Sequence, residues 1–372
     1  MLTPDLTRLT YFRGRVALAA ILRGLGIGAG DEVIIPAFTC IAVPEALLSI
    51  GARPVYVDVE EGGINMDPAE LDRTLGDNTR AVVVQHSFGL PADMSRISAS
   101  ARRRGVPLIE DCAHTISSRV DGRTVGSFGA AAIYSYEAAK PVFAGIGGSA
   151  VSNDDVLSAA LIREYPGYHE PPKILQLQLG ALFLAHRTVY RPSTYWTVRA
   201  LYRAVSATGL IRGSYNKVET DAAPADDFGM RMGALQKRLL RNGLKRLEIE
   251  STHRMRVADR YRTGINSPAV THIPVPSSAE PVFGRYPMLV ENRDVLVERA
   301  RKAKVEIAVF YSTPVHPLEG EGLRKVGYEP GSCPNAEWVS DRIVSLPTGT
   351  QVTEREIQRA IKLFNEHDDG RA

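Results

Sequence analysis

The chain is poor in cysteine, poor in net charge and poor in long apolar runs. Cys40, Cys112 and Cys333 are its only cysteines in 372 residues. They are too few and too scattered for a disulfide framework or a metal site, which fits a reducing, cytoplasmic setting. Lys and Arg total 45 against 42 Asp and Glu, a net charge of +3. That balance gives no field for binding nucleic acid. Charges cut each apolar stretch before it reaches bilayer length, and no signal peptide precedes the first folded-looking segment. There is no internal repeat and no low-complexity tract. What is present is a 44% hydrophobic composition over a length that suits one large and one smaller domain.

The first two-thirds alternates β-branched apolar runs with helix-period segments. Strands are expected at Glu32–Ile35, Arg53–Val57, Ala81–Gln85, Pro107–Ile109, Ala131–Ser135 and Ser149–Ser152. Helices are expected at Val16–Leu25, Ala42–Ser49, Pro68–Leu75 and Met94–Arg104. Such alternation predicts an α/β fold, a mainly parallel sheet covered on both faces, with ligands beyond the carboxyl ends of its strands. Residues 165–227 break the rhythm: a Pro/Gly/His loop, two apolar helical patterns (Ile174–Val189 and Tyr195–Leu210) and a polar linker. This reads as a helical insertion in a large domain of residues 1–250. It could be a cap, a subunit contact or a membrane-surface contact. A third helix is expected from Met232 to about Arg262. Residues 251–372 read as a small C-terminal α+β domain, with strands Arg285–Val290 and Ala308–Phe310 and helices Arg293–Lys304 and Glu354–Glu366.

Three segments carry chemistry. Leu108-Ile-Glu-Asp-Cys-Ala-His114 is an apolar strand running into two acids. Asp111 at its tip is placed to keep a heteroaromatic nitrogen protonated, although it could equally cap a helix. Ala131-Ala-Ile-Tyr-Ser-Tyr-Glu-Ala-Ala-Lys140 precedes a glycine cluster, Gly145-Ile-Gly-Gly148. A desolvated Lys140 there could act as a nucleophile, with Ser135 within reach of a phosphate. Tyr11-Phe-Arg-Gly-Arg-Val-Ala-Leu18 opens a helix whose free amides at Gly14, Arg15 and Val16 could cradle that phosphate. Each has an ordinary structural explanation alone. Together, in this order, they are the parts an aldehyde-phosphate cofactor needs: a Schiff-base lysine, an acid under the pyridinium, and phosphate donors.

The chain also resembles a known family, the DegT/DnrJ/EryC1/StrS sugar aminotransferases. The resemblance rests on Gly30-Asp-Glu-Val-Ile-Ile-Pro-Ala-Phe-Thr39, Gly51-Ala-Arg-Pro-Val-Tyr-Val-Asp58, Gly89-Leu-Pro-Ala-Asp93, Glu110-Asp-Cys-Ala-His114, Ser135 to Lys140, Phe310-Tyr-Ser-Thr-Pro-Val-His316 and Leu346-Pro347. It implies a fold type I PLP-transferase and pyridoxal 5'-phosphate as cofactor. It implies ping-pong transfer of an amino group from glutamate or glutamine to a nucleotide-linked, free or carbocyclic keto-sugar. It further implies a homodimer with shared active sites. By position, Lys140 becomes the cofactor lysine and proton shuttle, and Asp111 the partner of the ring nitrogen. His114 becomes a contact to the ring's phenolic oxygen, Ser135 with the Gly14–Val16 amides the phosphate site, and His86 a neighbour of the cofactor.

Two positions depart from the family pattern. Cys40 stands where an aromatic usually stacks on the ring. In Asp227-Phe-Gly-Met-Arg231, Gly229 replaces the asparagine that reaches the neighbouring subunit's phosphate, leaving Arg231 as the candidate substitute. Alternative readings are a related sugar dehydratase, against which Lys140 stands because such relatives carry histidine there, and a non-catalytic regulatory or assembly protein.

Overall fold

The computed structural model describes residues 5–138, 140–207 and 226–367, with side chains 202, 203, 205–207 and 226 left aside. Its centre is a seven-stranded sheet. In chain order the strands are β1 (Thr10–Tyr11), β2 (Glu32–Pro36), β3 (Arg53–Val57), β4 (Thr79–Gln85), β5 (Leu108–Asp111), β6 (Ala131–Ser135) and β7 (Gly148–Ser152). They lie side by side as β1-β7-β6-β5-β4-β2-β3. The five from β6 to β3 are parallel, while β7 and β1 are antiparallel additions at one edge.

Burial explains why these strands read as unbroken apolar runs. Ala81, Val83, Ile109 and Ile133 point into a core shared with Val16, Ala17 and Ile21 of helix α1 (Gly14–Gly24). The alternate residues Val82, Val84, Leu108 and Ala132 enter a second core on the opposite face. Both faces are dry, so no polar alternation survives. Helices α2 (Ala42–Leu48), α3 (Pro68–Thr74), α4 (Met94–Arg103) and α5 (Asp155–Glu164) complete the layers. Asp67, Asp93 and Asp154 cap the last three through backbone amides two or three residues on.

Two apolar helices follow, α6 (Lys173–Val189) and α7 (Tyr195–Ala207). The rest of the expected Tyr195–Leu210 helix and its linker, residues 208–225, lie outside the described residues. The single helix expected from Met232 to about Arg262 is instead two, α8 (Ala234–Leu244) and α9 (Leu247–Gly264). The break follows Asn242-Gly243, a weak helix-forming pair, and Gly243 sits where a Cβ would meet Val142 at 2.6 Å. Helix α9 runs through residue 250, where the sequence reading divides the chain.

The C-terminal part carries a three-stranded antiparallel sheet of β8 (Val270–His272), β9 (Arg285–Val290) and β10 (Ile343–Pro347), in that order. Helix α10 (Arg293–Ala303) and a last helix, Glu354–Asn365, cover it; Thr353 and Glu356 form a capping box at the start of the latter. The strand expected at Ala308–Phe310 is a single antiparallel bridge, Ala308 to Ser345, and the chain on either side of it makes no ladder. Thr39–Cys40 pairs in parallel with Val315–His316. That small ladder brings Phe310 and Tyr311 over the carboxyl ends of the large sheet.

Candidate active site

A cavity of about 210 Å³ opens at those carboxyl ends. Register explains how its polar groups meet. Asp111 pairs with Gln85 on one side and Ile133 on the other, so β4, β5 and β6 end nearly level. Asp111 and Ser135 therefore sit on one rim, and the turn after β6 returns Lys140 to it. All three line the cavity, together with Gly14, Arg15, Cys40 and His114.

The pleat divides Glu110 from Asp111. Glu110 is buried away from the cavity, accepting the amides of Gly126, Phe128 and Gly129. Burial opposes its charge, but the bond from His86 and these amides hold its ionisation below the usual carboxylate range. Asp111 faces the cavity, accepts the Ala113 amide at 2.8 Å, and is pushed up by burial against the pull of that amide, Lys140 and His86. Burial lowers the Lys140 amine below its ordinary value, with Cys40, Asp111 and Glu137 working the other way. An acid resisting ionisation and an amine shedding its proton thus share one rim.

His114 has a defined tautomer. Its Nδ1 accepts the Phe88 amide at 2.9 Å, so a neutral ring carries its proton on Nε2, 3.2 Å from the Tyr311 hydroxyl. Burial and Lys140 hold the ring well below the usual histidine range, which keeps it neutral. Burial, Cys40 and Asp111 keep Tyr311 protonated. If His114 donates to the Tyr311 oxygen, the Tyr311 proton is free to face the cavity.

The amino end of α1 forms the other wall. Arg13 enters it in extended conformation and makes no side-chain cap to the helix, so the first turn is left without that side-chain partner. Gly14 lies against Ser135, 3.4 Å from a would-be Cβ to the serine Cβ. Arg15 lines the cavity but its guanidinium also pairs with Glu45. Val16 contributes an amide of the first turn, while its side chain is buried in the sheet core.

His86 and Arg231 are not brought to the cavity. His86 is fully buried between Glu110 and the Ala92 amide, so it braces the β4–β5 ends. Both of its ring nitrogens are engaged. Cys112 beside them is buried, and burial pushes its thiol well up. Arg231 lies 3.9 Å from Glu170 and over the Tyr165 ring. A contact from it to a cofactor would have to reach a second copy of the chain. Gly229 instead lets the backbone pair with His169.

Arg13, Phe88, Arg285, Phe310 and Tyr311 also line the cavity and were not singled out from the sequence. Arg13 is almost wholly buried, donating to Asp227 at 2.6 Å and Glu137 at 3.0 Å. Arg285 donates to Glu306 at 2.6 Å and lies 5.8 Å from the Phe310 ring centroid. Arg13 and Tyr311 stood inside recognised motifs, which was the available signal; Arg285 had none.

The parallel sheet thus carries a lysine, an acid and a helix amino end together at its strand tips. The sequence model of the DegT/DnrJ/EryC1/StrS aminotransferase family matches residues 9–173 and 198–365, and the chain belongs to that family. The gap between the two matched stretches, 174–197, falls on α6 and the start of α7. Among similar proteins is a UDP-N-acetyl-3-dehydro-α-D-glucosamine 3-aminotransferase of Acidithiobacillus ferrooxidans, 28% identical over 93% of this chain and 80% of the relative. An L-glutamine:scyllo-inosose aminotransferase of Streptomyces griseus is 42% identical over 38% of this chain and 33% of its own. The solved structure of S. venezuelae DesV, in complex with a ketimine intermediate, superposes with a TM-score of 0.75 at 27% identity, covering 96% of this chain and 84% of that one. The protein is therefore an aminotransferase. Among the described residues no helix is long and apolar enough to cross a membrane.

Proposed function

We propose that the cavity binds pyridoxal 5'-phosphate and that the protein moves an amino group from glutamate or glutamine to a keto-sugar, in ping-pong order, as a homodimer with shared sites. One observation carries the reading: the amine of Lys140, the carboxylate of Asp111 and the uncapped start of α1 beside Ser135 line one small cavity. The residues present fit the group. Gly148 lies so close to Gly14 that any side chain there would displace the helix start, which is how the amides come to face the rim.

When bound, the cofactor supplies an aldehyde carbon for the amino group and a protonated ring that draws electrons from the substrate carbon. Asp111 would hold the ring nitrogen's proton, and the added positive charge would offset the burial that now resists its ionisation. Ser135 and the amides of Gly14, Arg15 and Val16 would hold the phosphate. Neutral His114 would turn its single N–H, on Nε2, from the Tyr311 oxygen toward the ring's phenolic oxygen, with Tyr311 beside it. Cys40 and Ala113 both line the cavity and would flank the ring. Lys140, its amine predisposed to lose a proton, would carry a proton between the substrate carbon and the cofactor's aldehyde-derived carbon, toward the cofactor when the donor reacts and back to the substrate carbon when the acceptor reacts. Arg285 is the fixed cation that could meet an acidic substrate group.

Relatives named for a UDP-linked 3-dehydro-glucosamine and for scyllo-inosose support a keto-sugar or a carbocyclic ketone as acceptor. The test is spectroscopic. Purified protein should acquire a visible absorbance band with pyridoxal phosphate, lose it with glutamate or glutamine, and regain it with one member of a keto-sugar panel. A protein that binds no pyridoxal phosphate, or whose band survives Lys140→Ala unchanged, refutes the proposal.

A further inference from the structure

The segment that the family pattern passes over has an unusual surface. Between Glu170 and Glu219 the sequence contains no Asp or Glu and seven Lys or Arg. Helix α6 is apolar on two sides. Leu175 and Leu179 face inward and pack with Phe12, Ile146 and Met230, and Gly180 lets the helix approach Leu235 of α8. Ile174, Leu177, Ala181, Leu184 and Ala185 recur at helical spacing on the outer side, and all five are exposed. A helix apolar all round is normally buried all round. Here Ile174 is 65%, Leu177 68% and Leu184 61% exposed. Val189 and Leu201 are also exposed, so these two helices hold five of the twelve exposed large apolar side chains among the described residues. Lys173, Arg187 and Arg191 stand exposed in the same segment, and the nearest acid in sequence is Glu170.

The hairpin is not a loose appendage. The Tyr190 hydroxyl donates to Glu306 at 2.6 Å and the Trp196 indole to the Val305 carbonyl at 2.8 Å. Phe183 stacks on Phe143, three residues beyond Lys140, with centroids 5.2 Å apart. It therefore presents a rigid apolar face with a basic border, held against the body of the enzyme.

We propose that the outer face of α6, with the start of α7, docks on an anionic phospholipid surface. Charge complementarity selects that occupant. A second copy of this chain would set the same lysines and arginines, from a segment without Asp or Glu, against the first, whereas a bilayer of negative charge takes the apolar side chains into its interface and the Lys and Arg onto its headgroups. The helix lies on the surface instead of spanning it: among the described residues none is long and apolar enough to cross. The inference stands apart from the choice of cofactor or substrate.

The experiment is co-sedimentation of the full-length protein with phosphatidylcholine vesicles, with and without phosphatidylglycerol. Binding is expected only to the anionic vesicles and should fall with added salt. Leu177→Glu with Leu184→Glu, and separately Lys173→Glu with Arg187→Glu, should each weaken it about tenfold or more. Circular dichroism and thermal unfolding check that both variants remain folded; the charge variant leaves the apolar face untouched and decides the matter if the other fails to fold. Absence of binding to anionic vesicles overturns the proposal, as does binding that neither pair of substitutions alters. So does a change of oligomeric state in Leu177→Glu/Leu184→Glu without vesicle binding by the native protein, which would assign the face to a second copy.

Discussion

Gly148 lies against the amide of Gly14: a Cβ at position 148 would come within 2.5 Å of the Gly14 nitrogen and 2.6 Å of the Arg13 carbonyl oxygen. Both obstacles are backbone, so neither can swing aside. Strand β7 can thus run beneath the first turn of α1 only with glycine at this point. Gly147 differs, since its would-be Cβ meets the flexible end of Met232 at 2.7 Å. Gly148→Ala should destabilise the fold by about 1–3 kcal/mol through overpacking. It should also lift the helix amides from the phosphate position and weaken pyridoxal phosphate binding. Gly147→Ala should affect binding less. Equal loss of cofactor affinity in a titration of both variants would contradict this account.

Asp111 links function to stability with opposite signs. Burial raises its ionisation point in the folded protein. Folding therefore favours the protonated carboxyl: that contribution is complete below the unfolded carboxylate range and is lost as pH rises through the raised value. Above the unfolded carboxylate range the cofactor-free protein bears an acid it would be more stable without. Asp111→Asn should raise the unfolding temperature of the cofactor-free protein at pH 7.5, with the gain shrinking toward pH 4. The same change should cut transamination by about a hundredfold or more, since an amide cannot stabilise ring protonation. Thermal unfolding with and without pyridoxal phosphate, beside a half-reaction assay, reads both. A destabilised cofactor-free variant that still gains stability from the cofactor would refute the argument.

Strands Arg53–Val57, Ala131–Ser135 and Arg285–Val290 could be read end to end in the sequence. Each is a short apolar run closed by residues that leave strand geometry, so local pattern suffices. Asp111 and Ser135 were legible for a related reason: each ends a strand, strand tips in a parallel sheet share one rim, and Lys140 lies in the turn just beyond. Other residues depend on distant contacts. Arg13 is fixed by Asp227, 214 positions away, and Tyr311 by His114, 197 positions away, distances that no spacing rule spans. His86 shows the opposite failure. It sits one residue past β4, where the resemblance implies a neighbour of the cofactor, yet its ring turns to Glu110 across the sheet. The two-part helix from Ala234 escaped detection because Asn242-Gly243 weakens a pattern whose apolar period continues through it.

Lys140 must be unprotonated to capture an aldehyde. Burial lowers its ionisation, opposed first by Cys40 and then by Asp111 and Glu137. Covalent capture of pyridoxal phosphate, trapped by borohydride and followed from pH 6 to 10, should reach half its maximum at lower pH than a solvated lysine would allow. Cys40→Ala removes an opposing group, so its profile should move to still lower pH. A shift to higher pH, or none, would show that Cys40 does not act on the amine.

Arg13 is the strongest structural test of the helix wall. Its side chain is buried, and it answers two carboxylates, Asp227 and Glu137, that are themselves shielded from water. Burial disfavours charge on Glu137, but Arg13, followed by Arg15 and Lys140, outweighs it and holds the group ionised. Arg13→Ala would leave buried Asp227, and Glu137 at the cavity wall, without the guanidinium they share, at a cost of about 3–5 kcal/mol by the usual penalty for breaking a buried pair. Removing Asp227 as well relieves half of that conflict. In a double-mutant cycle by urea unfolding, Arg13→Ala/Asp227→Ala should therefore be less destabilised than the sum of the single variants, by about 1–3 kcal/mol. Arg13→Lys keeps the charge without the fork that reaches both acids, so it should retain much of the stability yet loosen the start of α1. Weaker cofactor binding in that variant, at nearly native stability, would tie the pair to the site; native binding would confine it to the fold.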